Sequence, residues 1–76
     1  MGALSYSQIW RELSKRQRQC LSRAHLAHPY PTRAVDDYEI RAFLTLKRHG
    51  LVELVDEEQD LYLLTDDGRK VEAFRG

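Results

Sequence analysis

Apolar positions recur with a helical period along most of this 76-residue chain, and with the shorter period of strands only towards its end. The clearest stretch runs from Asp37 to Glu53. Ile40, Phe43, Leu44 and Lys47 (through its stem) fall at helical spacing, and Ala42 and Leu46 widen that stripe. The opposite side carries Tyr38, Arg41, Thr45 and Arg48. Lys47, Arg48 and His49 stand where cations favour a helix C-terminus, and Gly50 supplies the residue that ends the helix and turns it into a strand.

The preceding residues form two helical patterns. From Ser5 to Leu13, Ser7 is the expected N-cap, with Ile9, Trp10 and Leu13 on one face. Ser14 to Gln17 then matches a capping box, with Leu13 before it as the staple residue. The favoured reading is a break at Ser14 and a new helix to about His25, buried through Cys20, Leu21 and Ala24. One continuous helix from Ser7 stays open, because Leu13, Cys20 and Ala27 keep a seven-residue spacing. His28-Pro29-Tyr30-Pro31 breaks the helix, since each proline pushes its predecessor towards extended geometry. Either Thr32 or Asp36 caps the next helical segment, and residues 33–35 make its opening turn or a separate single turn.

After Gly50, Leu51–Val55 reads as a strand, Asp56–Asp60 as a polar turn and Leu61–Leu64 as the returning strand. Thr65 caps a last helix, with Asp66 and Asp67 in its first turn and Val71 and Phe74 as anchors. The fold class is mostly α with one small β-hairpin, an α+β arrangement. Residues 1–13 read as a flanking helix and 14–76 as the core of a single domain.

The order of elements, and three strings within it, resemble a winged helix-turn-helix domain. Leu13-Ser-Lys-Arg-Gln17 with Cys20-Leu21 is similar to the opening of the first helix in many bacterial regulators of that fold. Leu46-Lys-Arg-His-Gly-Leu-Val-Glu53 resembles the end of their recognition helix and the first wing strand. Tyr62-Leu-Leu-Thr-Asp-Asp-Gly68 resembles the second wing strand and following helix of the MarR and PadR types. The resemblance spans residues 13–74. One departure stands out: only residues 27–36, two of them prolines, are available for the second helix, which is therefore shortened or missing.

The resemblance implies a transcriptional regulator that binds double-stranded DNA as a homodimer. Its recognition helix would enter the major groove and its wing would touch the backbone. Carried onto this chain, the contacting residues are Tyr38, Arg41, Thr45 and Arg48, with Lys15 and Arg16 on the basic first helix. Arg suits a guanine edge, and Thr a thymine methyl. Ile9, Trp10 and Leu13 form a wide apolar face with a Trp that suits a dimer interface, the alternative being that this helix packs on its own domain.

Charge changes this picture. Net charge is zero, with 12 basic and 12 acidic residues. Residues 1–35 hold six bases (Arg11, Lys15, Arg16, Arg18, Arg23, Arg33) against Glu12 alone, whereas residues 36–67 hold ten acids against three bases. The two regions either face each other in the fold or are solvated, or else make a bipolar molecule that meets an anionic partner or stacks on itself. Asp36, Asp37 and Glu39 crowd the leading end of the candidate reading helix. The wing tip, Asp56-Glu57-Glu58-Gln59-Asp60, has four acids and no base. Such a wing is repelled by phosphates, and a near-neutral chain lacks the basic footprint of a DNA-binding domain. The alternative is a protein-interaction module whose acidic wing and helix tip meet a basic partner.

Composition narrows the remainder. A 76-residue domain buries about 60% of the surface its unfolded chain exposes, so its core is small. A single cysteine excludes an intrachain disulfide, and with no apolar run of the roughly 20 residues a membrane span needs, the cytoplasm is the expected location. His25, His28 and Cys20 lack a fourth metal ligand and read as helix-end histidines and a buried thiol. Glu57, Glu58 and Asp60 lack the glycine-centred loop of a calcium site. No phosphate loop, nucleophile elbow or carboxylate pair is present, so neither an enzyme nor a cofactor is expected.

Overall fold

A computed structural model describes residues 5–74. Helix α1 (Tyr6–Glu12) begins earlier than the Ser7 cap implied. Ser5 is the N-cap, because Gln8 rather than a residue after Ser7 can complete a capping box with it. The break at Ser14 is present: its hydroxyl accepts from the Gln17 amide at 3.1 Å, and Gln17 Oε1 accepts from the Ser14 amide at 2.9 Å. Helix α2 (Lys15–Ala27) follows, buried through Cys20, Leu21 and Ala24, and stops at His28 before the two prolines.

Residues 33–35 do not form a helical turn. Thr32–Arg33 instead make a two-residue strand, β1, which pairs antiparallel with Leu61 and Tyr62. An extended approach satisfies the restriction that Pro31 imposes and leaves backbone groups to pair with a neighbouring strand. No helix lies between α2 and the next one. Asp36, not Thr32, is the N-cap of helix α3 (Asp37–Arg48), its carboxylate accepting from the Glu39 amide at 2.9 Å. Strands β2 (Val52–Asp56) and β3 (Leu61–Leu64) form the hairpin, and helix α4 (Asp66–Glu72) closes the chain. The sheet order is β1-β3-β2, all antiparallel, with a bulge at Val55. The described residues are thus an α+β arrangement of four helices and a three-stranded sheet.

The buried side of α3 is rotated from the expected stripe. Ala42, Phe43 and Leu46 are buried, whereas Leu44 is 40% exposed and Lys47 is exposed. Phe43 stacks on Tyr62 of β3, with centroids 4.8 Å apart and planes at 9°. That stack joins the helices to the sheet and draws Ala42 rather than Leu44 inward. Val71 anchors α4 from full burial, but Phe74 lies past the helix and is half exposed.

The exit from α3 is where the two glycine-containing strings meet. Leu51 N–H donates to the Leu46 carbonyl and Gly50 N–H to that of Lys47, the paired bonds of a Schellman ending, with Gly50 at φ +76°. Leu46 and Leu51, the hydrophobic pair of that motif, are both fully buried. Thr65 then docks on the same turn. Its amide donates to the Leu51 carbonyl at 3.1 Å, its hydroxyl donates to the Gly50 carbonyl at 2.6 Å, and it accepts from the Gly68 amide at 3.0 Å. Gly68 packs against the Leu51 carbonyl so closely that a Cβ there would overlap backbone, and would also lie 2.7 Å from the Leu64 side chain.

The two glycines should therefore respond differently. Gly50→Ala meets open space and incurs only the left-handed backbone penalty, about 1 kcal/mol. Gly68→Ala must displace backbone, at a cost of about 3 kcal/mol or more. In thermal melts followed by circular dichroism, Gly68→Ala lowers Tm by on the order of 12 °C and Gly50→Ala by roughly 5 °C. Equal shifts would refute the close approach at Gly68.

Candidate nucleic-acid interface

Helix α3 offers an outward strip two turns long. Tyr38, Arg41 and Arg48 are exposed, together with Asp37 and Lys47. Arg41 and Arg48, seven residues apart, stand about 10 Å apart along the axis on one side of the helix. Neither takes part in an ion pair among the described residues. Thr45, the fourth residue expected on this strip, is half buried, and its hydroxyl donates to the Arg41 carbonyl at 3.2 Å. It keeps its acceptor lone pairs and its methyl group.

Helix α2 contributes to the same face. The Arg16 guanidinium lies 5.0 Å from the centre of the Tyr38 ring, so the basic start of α2 and the leading turn of α3 are neighbours. Lys15 and Arg16 line a shallow depression with Ser14 and Gln19. Five of the six residues expected to touch nucleic acid, Lys15, Arg16, Tyr38, Arg41 and Arg48, are therefore exposed.

The acids at the tip of α3 are less available than their sequence positions imply. The Asp36 carboxylate caps the helix. Glu39 is held by Arg23 through two hydrogen bonds of 2.8 and 2.9 Å, and also accepts from the Val35 amide at 2.9 Å. The paired guanidinium, with the backbone bond, holds the Glu39 carboxyl below the usual carboxylate range, while partial burial opposes this. Arg23 itself bonds the Thr32 hydroxyl at 3.2 Å and the Arg33 carbonyl at 2.9 Å, and lies 5.5 Å from the centre of Phe43. Of the three acids at that tip only Asp37 is left outside this network.

Arg18 is similarly committed. It donates to the carbonyls of Trp10 and Arg11 at the end of α1 and lies 5.0 Å from the Trp10 ring. Charge alone would place Arg18 and Arg23 on a solvated face of α2. The available signal was their position beside the buried row: Arg23 precedes Ala24 and follows Cys20 by three.

The turn between β2 and β3 stays acidic. Asp56 accepts from the Gln59 amide at 3.1 Å, and the Asp60 carbonyl accepts from the Ala34 amide at 3.0 Å, tying the turn to β1. Glu57 and Glu58 project into solvent.

The expected dimer residues are partly spent within the chain. Leu13 is 4% exposed and belongs to the core, with Ile9 and Trp10 half buried against it. Helix α1 packs on α4, where the Tyr6 hydroxyl donates to Asp67 at 2.9 Å. Cys20 is buried, and burial pushes its thiol pKa up, so the thiol form is favoured. His25 is half buried rather than on the surface. No helix of the described residues is long and apolar enough to cross a membrane. Scans against protein-family models, curated proteins and solved structures give no match for this chain.

The Arg23–Glu39 pair makes a prediction in pH. With its folded pKa depressed, Glu39 contributes stability that is complete above the ordinary Glu value of about 4.3 and is lost as pH falls through the folded value. Glu39→Gln should be less stable than the parent at neutral pH, and the two should converge in acid. Urea unfolding at a series of pH values checks this; a gap that does not narrow in acid would show that the ionised pair is not its source.

Proposed function

We propose that this chain is a small DNA-binding domain of winged-helix type that lays α3 in the major groove. Arg41 and Arg48 address base edges or phosphates, Tyr38 and Thr45 flank them, and Lys15 and Arg16 meet the neighbouring backbone. The observation that carries this reading is the exposed strip of α3 itself. Arg41 and Arg48 have no ion-pair partner among the described residues, while Asp36 and Glu39 beside them are consumed by a cap and by Arg23. The charge of Glu39 is thereby balanced by Arg23, which leaves Asp36 and Asp37 as the electrostatic objection to the helix. The acidic wing is turned away from the duplex in this reading, so affinity comes from the two helices. Such a footprint is small for one copy, and two copies on adjacent half-sites, as in a transcriptional regulator, provide the binding strength.

A second reading is favoured by one feature: Glu57 and Glu58 stand exposed at the wing tip with no base beside them in the turn. A basic protein partner would suit that tip.

A mobility-shift titration on mixed-sequence duplex across a salt series separates the two. DNA binding gives a shift at low salt that weakens steeply as salt rises. Arg41→Ala with Arg48→Ala should then reduce the salt slope by about two if both meet phosphates, or relax base preference if they meet base edges. Absence of any shift at low salt removes the DNA reading and leaves the protein partner.

A further inference from the structure

The outer face of α2 carries a groove of about 660 Å3 that shares only Lys15 with the DNA reading. Its apolar walls are Trp10, from α1, and Leu26, which is 81% exposed. Lys15, Arg18 and Arg23 border it. Arg23 is paired with Glu39, whereas Arg18 donates to the Trp10 and Arg11 carbonyls, so Lys15 and Arg18 carry the positive charge of the groove. Glu72 lies behind this wall through its bond with Ser22 at 2.9 Å; at 3% exposure it does not touch an occupant, but its charge offsets part of the groove's positive field.

A groove of this kind selects its occupant by charge. Two copies placed groove to groove would oppose Lys15 to Lys15 and Arg18 to Arg18, which is unfavourable. The fitting occupant is acidic with an apolar residue beside the acids, and the chain itself bears one. The wing tip projects Glu57 and Glu58 next to Val55, which the bulge leaves 45% exposed. Wing and groove are separate surfaces, so each copy can offer one and receive the other.

We propose that the protein self-associates head to tail, the acidic wing of one copy docking in the Trp10–Leu26 groove of the next. Such a contact is heterologous: it either closes as a ring or continues as a chain of copies. It accounts for a charge distribution that is strongly divided yet sums to zero. It also removes the wing's negative charge from the surroundings of α3. The contact does not require DNA, so it is tested without DNA and stands or falls separately from that reading.

Two exposed-site variants make the test. Leu26→Glu places a carboxylate in the groove, and Glu57→Lys with Glu58→Lys reverses the wing. Neither change touches the core or α3. Sedimentation equilibrium at low salt should show the average mass of the parent rising with concentration, with association weakened at least about tenfold at physiological salt. Each variant alone should be monomeric. Mixed, they should form a 1:1 complex and nothing larger, because one keeps its wing and the other keeps its groove. Trp10 is the chain's single tryptophan, so its emission should shift in that mixture. A parent that stays monomeric at low salt overturns the proposal. So does a wing variant that still dimerises, which would mark a groove-to-groove contact or another surface. Failure of the mixed variants to pair overturns it as well.

Discussion

The turn that leaves α3 constrains everything after it. Gly50 must be left-handed for the helix to end where it does, and that ending aims the Leu51 carbonyl at Thr65 and Gly68. One threonine then serves as the cap of α4, as a donor to the Gly50 carbonyl and as the amide that satisfies Leu51. Because Gly68 has no Cβ, α4 comes close enough to seat Val71 in the core. Helix α4 in turn supports α1, through Asp67 and Tyr6. A single backbone junction thus sets the position of the hairpin, the closing helix and the first helix. Two strings that look like separate local motifs are two halves of one contact.

A second network fixes the other end of α3. Between α2 and α3 the chain has β1 and a short loop, and the guanidinium of Arg23 spans the space. It joins α2 to the Thr32 hydroxyl, the Arg33 carbonyl and Glu39 at once. The fork geometry of arginine permits that set of bonds, where an ammonium would form a point contact only. The pair is partly exposed, so its worth lies less in net stability than in direction: it sets how the first turn of α3 meets α2. The same bonds consume an acid that would otherwise oppose an anion at that turn.

Much of this was legible in the residues. Ser14 with Gln17, the apolar triplet Cys20, Leu21 and Ala24, the two prolines, Gly50 and Thr65 all encode local events, and each acts within a few positions of itself. What stayed hidden depends on distant partners. The rotation of α3 reflects Phe43 stacking on Tyr62, far along the chain, so the choice between Ala42 and Leu44 as the inward residue could not be made from helical period alone. Strand β1 is only two residues long and is formed by its pairing with β3, which no period of two could announce. Arg23 looked like surface because charge predicts exposure on average, while its partners, Glu39 and the β1 backbone, become neighbours only once the chain has folded. Of the candidate site, the exposed row of α3 was legible and the fate of its acids was not.

The link between α2 and α3 has a mechanical consequence. Residues 32–36 are held on both sides: Ala34 N–H by the Asp60 carbonyl at the wing, and Val35 N–H by the Glu39 carboxylate at the start of α3. Two consecutive amides of an otherwise extended segment therefore tie the wing to the leading turn of the helix. One step of backbone connects those parts. The β2–β3 turn and the leading turn of α3 are thus joined through hydrogen bonds made by two consecutive amides just after β1.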